Sequence, residues 1–254
     1  MKSKKICYTN SPLLETVFEV RFKNELNILD KEVTEFYKKI SSDYPKSHDV
    51  FTTAVNLKLA MKGGVPSEAQ ALSTENILNK RFTSTDSKKV IHLSSQSFAN
   101  SMLQPYLGWD ISYTSFQNSL NVFRNLFGDI KLGRIGVRSI NRWTFPADKI
   151  DEYLQLKPGF QPGDFSTVVT RAGMNFSVFN EMLNLHCEIR LQLNPKKGDN
   201  VLEIEANLDV FVYRLVDNDL SDDEVNELFL NVRKLKNDIF ESSIGQKSRE
   251  KFDE

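Results

Sequence analysis

An α+β fold built on antiparallel sheet is what this chain predicts, and three observations carry the expectation. Apolar and polar residues alternate with the period of a strand in segments spread along the chain, and stretches of helical spacing separate them. The strand-like segments alternate rather than running continuously apolar, which marks antiparallel strands covered on one face and wet on the other. The order strand, helix, three strands, long helix also occurs twice, over 11–130 and 131–244. A duplicated β-α-β-β-β-α unit with helices packed on one face is therefore expected. At 254 residues the chain is near the upper size of one hydrophobic core, and 1–254 is taken as a single globular unit.

In the first half, LETVFEVRF (14–22) sets Thr16, Phe18, Val20 and Phe22 against Val17, Glu19 and Arg21, a strand with an aromatic buried face. Asp30 caps a helix in which Val33, Phe36, Tyr37 and Ile40 fall on one side, and Tyr44-Pro45 ends it. Alternation returns from Val50 to Met61, followed by KGGVPSEAQALSTEN (62–76), whose Gly, Pro and Ser content predicts a long loop. Ile77–Thr85 and Lys88–Ser94 form a hairpin about Asp86-Ser87, and Phe98–Leu103 extends it. A helix with Phe116, Leu120, Phe123 and Phe127 closes the half, with Ser112 as its cap and Gly128 as its stop.

The second half opens on LGRIGVRSINRW (132–143). Alternation places Arg134, Gly136, Arg138, Ile140 and Arg142 on one side and Ile135, Val137 and Trp143 on the other, so one strand face carries three guanidiniums. Phe145-Pro146 then opens a short helix that Pro158-Gly159 terminates. Three long half-buried strands follow, Thr167–Val178, Met182–Asn194 and Val201–Tyr213. Ser221-Asp222-Asp223-Glu224 is a capping box for a helix striped by Val225, Leu228, Phe229, Val232, Leu235, Ile239 and Phe240. The charged tail, 245–254, is expected to fray.

Composition narrows the function. Lys plus Arg number 33 against 34 Asp plus Glu, which removes the global basic field of a phosphate-gripping protein and leaves room for a local patch. The two cysteines, Cys7 and Cys187, match no metal or redox spacing, and MKSKKICYTN has no apolar run behind it. A reducing cytoplasm and no membrane span are expected. No phosphate-cradling loop, dinucleotide fingerprint, nucleophile elbow or zinc-ligand spacing occurs. His48, His92 and His186 are too scattered to predict a histidine-based centre, so neither cofactor nor catalytic residue is assigned.

The sharpest chemistry is the arginine face. Glu19-Val20-Arg21 aligns with Gly136-Val137-Arg138, each opening its half, so the ligand-binding candidates are Arg21, Arg134, Arg138, Asn141, Arg142 and Glu19. Planar guanidiniums two residues apart on a strand point the same way and take carboxylates or phosphates bidentately. The plainer reading of the same residues is cross-strand pairing with Glu19, Glu188, Glu203 or Glu205. Glu188, Glu203 and Asp209 are the alternative, as hard oxygen ligands for a divalent cation in a metal-assisted hydrolase. Tyr106 and Trp109 are read as core packing that sets the entry angle of the following helix.

SPLLETVFEVRF, LQPYLGWDISYTSF, RIGVRSIN, Leu208-Asp209 and FESSIGQKSREKF together resemble a sporadically distributed prokaryotic family of similar length with no assigned reaction. Pro105-Tyr106 with Trp109, and Arg138 with Asn141, are the most specific pieces. The resemblance implies a cytoplasmic protein from mobile-element or defence-associated gene clusters and implies no chemistry. The duplicated unit is also analogous in arrangement to TATA-binding-protein-like and helix-grip architectures, which transfers no function. The expected function is a non-catalytic binding module for a protein partner or a small anionic ligand. A nucleic-acid-binding accessory protein and the metal-assisted hydrolase are the alternatives.

Overall fold

The computed structural model describes residues 8–28, 30–62, 65–128, 130–156, 171–197 and 202–254, and the side chains of 51–78 are outside the description. Cys7, Pro158-Gly159 and the expected strand start at Thr167 lie outside it as well. Among these residues nine strands form one antiparallel sheet: β1 (Leu13–Phe22), β2 (Lys46–Lys62), β3 (Val65–Thr83), β4 (Lys89–Ser94), β5 (Ser97–Leu103), β6 (Leu132–Pro146), β7 (Ala172–Asn180), β8 (Leu185–Lys197) and β9 (Leu202–Leu215). Their order is β2-β3-β4-β5-β1-β6-β9-β8-β7. The two arginine-bearing strands, β1 and β6, are thus direct neighbours at the centre, and each pairs on its other side with β5 or β9.

Helices α1 (Asp30–Ile40), α2 (Trp109–Phe127) and α4 (Asp222–Ser243) supply the core on one sheet face, as the alternation requires. Phe18, fully buried, is the hub: its ring lies 5.1 Å from Trp109, 5.3 Å from Phe116, 5.9 Å from Tyr113 and 6.2 Å from Phe229. Phe36 of α1 meets Phe82, Phe98 and Phe123 in the same aromatic layer. Trp109 is therefore core, as its position ahead of a helix suggested. The capping box of α4 forms, with Ser221 Oγ accepting from Glu224 N and the Glu224 carboxylate accepting from Ser221 N. No helix among the described residues is long and apolar enough to cross a membrane.

Three expectations are corrected. The stretch 62–76 is not a loop over 65–76: β3 runs through it, paired with β2 from Lys46↔Thr83 to Lys62↔Val65. Two register shifts, between Asn56 and Leu57 and between Ala60 and Met61, interrupt the pairing. The four segments read as strands after α1 are β2 to β5, one more than a β-α-β-β-β-α unit holds. Ser112 does not cap α2. Gly108, at φ 93°, precedes the helix, and Ser112 sits one turn inside it, donating from Oγ to the Gly108 carbonyl at 2.8 Å.

The third correction concerns the tail, which is a helix, α5 (Gln246–Asp253), docked on the short helix α3 (Ile150–Tyr153). Ser248 Oγ donates to the Tyr153 carbonyl at 2.7 Å, Phe252 O accepts from Asn10 N at 2.7 Å, and the Phe252 ring is buried edge-on to Trp143. One buried aromatic and these backbone contacts hold a segment whose remaining residues are mostly charged or polar.

The apolar stripe of α4 carries an interruption. Lys236 is buried, and burial, then the neighbouring Arg233 charge, lowers its pKa from 10.5 to about 8. Its Nζ donates to Asn237 Oδ1 at 2.9 Å. The folded value lies below the unfolded one, so the unfolded chain holds the proton more tightly. Stability therefore rises with pH across the window from about 8 to 10.5. Lys236→Met is expected to raise stability at neutral pH by about 1–3 kcal/mol and to abolish that rise. Urea melts at pH values on either side of the window measure both.

Candidate functional site on the open sheet face

The sheet face opposite the helices carries the arginines. Strand pairing arranges it in cross-strand rows: Glu19–Gly136–Tyr213–His186–Phe179, then Val17–Arg138–Phe211–Glu188–Ser177, then Glu15–Ile140–Asp209–Arg190–Asn175. Arg21 stands directly opposite Arg134, and Arg142 opposite Asn207. The two arginine strands are direct neighbours, so their guanidiniums lie on one shared surface.

Their positive charge is not left free. Arg138 grips Asp209 as a fork, Nε to Oδ1 at 2.8 Å and a terminal nitrogen to Oδ2 at 2.5 Å. That hydrogen bond raises the guanidinium pKa further above its usual value. Arg134 donates from Nε to Glu19 Oε1 at 3.2 Å, and Arg190 meets Glu188 at 2.9 Å. Arg142 donates to Asn207 Oδ1 at 2.8 Å and lies 3.8 Å from Glu205. Exposed pairs of this kind contribute about 0–1 kcal/mol each. The Arg138–Asp209 fork belongs at the upper end of that range, since the Asp209 side chain is only 17% exposed. Among the described residues Arg21 has no carboxylate partner.

An aromatic ladder that the sequence reading missed crosses the same face. Phe179 lies 4.9 Å from His186, His186 stacks on Tyr213 at 5.2 Å and 11°, and Phe211 is 4.9 Å from Tyr213. The Arg134 guanidinium sits 5.1 Å from the centroids of both Phe211 and Tyr213. Gly136 makes this arrangement fit: a Cβ there would come within 2.7 Å of both Phe211 Cε2 and Tyr213 Cβ. A glycine inside a strand is itself a signal of such close approach, and Phe211 and Tyr213 on the wet side of an otherwise acidic strand are a second. Arg134, Arg138, Arg190, Glu19, Glu188 and Asp209 surround a shallow depression of about 260 Å³, floored by Val17 and Phe211. Three positive and three negative groups balance within it.

The other candidates separate. Asn141 is buried on the helix side, its Nδ2 donating to the Leu208 carbonyl at 3.3 Å, so it braces β6 against β9 and does not reach the open face. Of the alternative metal ligands, Glu188 and Asp209 are engaged by Arg190 and Arg138. Glu203 lies six positions from Asp209 along β9, about 20 Å away at strand rise. Among the described residues no three His, Cys, Asp or Glu side chains gather in a metal-binding group. Cys187 is buried on the helix side and its thiol pKa is pushed up to about 12, burial being the main cause. No protein-family model matches the chain, and no curated protein is similar to it.

Proposed function

We propose that this chain is a non-catalytic interaction module that recognises a protein partner through the open face of β1, β6, β9 and β8. The observation that carries the reading is the row of half-exposed, cross-strand ion pairs beside an aromatic ladder, on a sheet face that no helix among the described residues covers. Alternating charge next to partly exposed aromatic rings suits another protein surface, whose own charges meet both signs at once. A small anion suits the depression less well, because at Arg138 and Arg134 it must displace Asp209 or Glu19 from a guanidinium already satisfied. Nucleic acid is opposed by the same balance, and its mark would be a steep loss of affinity with salt.

On this reading the chain holds two copies of one unit, the first longer by a strand. The support is that β1 and β6 each pair with the last strand of their own half while the remaining strands follow outward in reverse sequence order. The likeness to TATA-binding-protein-like and helix-grip arrangements is one of layout. The free thiol of Cys187 accords with a reducing prokaryotic cytoplasm, where the family resemblance would put it.

The test immobilises the full chain, captures partners from native lysate and measures the affinity of each purified partner. Arg138→Ala should weaken a partner by about tenfold or more while the variant still melts cooperatively. Lys234→Ala, exposed on α4, should leave the affinity unchanged. Equal affinity for wild type and Arg138→Ala would remove the open face as the recognition surface. A non-cooperative melt would make Arg138 a structural brace.

A further inference from the structure

We infer that β7 pairs edge to edge with β7 of a second copy of this chain, antiparallel and centred on Phe176, joining two sheets into one. Among the described residues β7 is an outer strand of the sheet, and its nine residues, AGMNFSVFN, include no charge and no proline. The opposite edge, β2, carries Lys46, Asp49, Lys58 and Lys62, charges of the kind that discourage strand addition. Phe176 and Val178 on the helix side are 41% and 48% exposed, and Phe179 on the open side is 48% exposed, so the described residues leave the Phe176–Phe179 half of β7 uncovered on both faces.

The sequence around Phe176 is self-complementary in that register. Phe176 meets its own counterpart, and Met174 meets the second copy's Val178, all on the helix side. Gly173 meets the second copy's Phe179 on the open side. No atom of the described residues lies within 4 Å of a Cβ built on Gly173, so a ring fits there as Phe211 and Tyr213 fit over Gly136. One residue beyond each strand end, Arg171 falls opposite the second copy's Glu181, twice by symmetry. Both are exposed, and neither side chain has a partner among the described residues. The two-fold axis stands perpendicular to the sheet, which leaves both open faces on the same side. A strip one strand wide is smaller than the standard interface of about 1,600 Å², so a micromolar dimer is expected rather than an obligate one.

Sedimentation equilibrium of the full chain, from low to high micromolar, tests this. A monomer–dimer equilibrium is expected, and Phe176→Lys, which sets two ammonium groups face to face at the axis, should abolish it without changing the monomer's melt. Arg171→Glu should weaken the dimer by about tenfold, and Arg171→Glu with Glu181→Arg should restore it. A monomer at every concentration, a dimer indifferent to Phe176→Lys, or a charge swap that fails to restore association would each overturn the inference.

Discussion

Phe18→Ala is expected to destabilise the chain by about 3–5 kcal/mol, the usual cost of emptying a fully buried phenylalanine site. The side chain has no exposed surface and packs against four aromatic rings supplied by two helices, so no single neighbour can move in without breaking its other contacts. For a chain of this length that corresponds to a drop of roughly 6–10 °C in Tm. Phe18→Leu, which keeps most of the apolar volume, should fall well short of that loss. Thermal melts of the three proteins followed by far-ultraviolet dichroism decide it. Equal Tm values would mean that the aromatic layer does not hold the helices to the sheet.

Gly136→Val carries the second large effect, and it acts on the open face. The added Cβ meets Tyr213 Cβ at 2.7 Å and the Val212 carbonyl oxygen at 2.9 Å, and neither atom is free to swing away as the Phe211 ring is. The central β6–β9 pairing must shift, at a cost of about 1–3 kcal/mol. Arg134 then loses the two rings it lies against. Gly173→Ala is the control: its methyl meets no atom of the described residues within 4 Å, and the melt should be unchanged or slightly raised. If both variants melt alike, the crowding at Gly136 does not shape the site.

Alternation exposed much of this arrangement before any coordinate. It separated Arg134, Arg138 and Arg142 from Ile135, Val137 and Trp143, and it marked Phe18 as interior, because strand periodicity is a local property of the backbone. The Ser221 cap and the Asp86-Ser87 hairpin were legible for the same reason, and Ser87 adopts the positive φ of 61° that a tight turn uses.

Glu19 and Glu205 were named among the carboxylates that could pair with the arginines, but which arginine each would meet was not legible, and Asp209 was not among them. Asp209 is 71 positions from Arg138 and Glu19 is 115 from Arg134, and only the β1–β6–β9 register brings either pair together. Asn141 was placed with the ligand candidates although its parity along β6 sends it to the helix side, a contradiction the alternation itself contained. Lys236, which the apolar stripe of α4 did not include, is buried all the same, because a helical wheel does not say how far a neighbouring sheet extends. The tail looked frayed because one phenylalanine among charges gives a weak signal until Tyr8 and Trp143 are in place to receive it.

The central claim is that the paired charges of the open face are there for recognition and not to hold the fold. Exchanging both members of the fork, Arg138→Met with Asp209→Leu, removes the chemistry and leaves no stranded charge, so stability should stay within about 1 kcal/mol of wild type. The deciding measurement is the Kd of a captured, purified partner for this double variant. The account predicts an affinity at least about tenfold weaker with the melt preserved. An unchanged Kd, or a double variant that no longer folds, contradicts it.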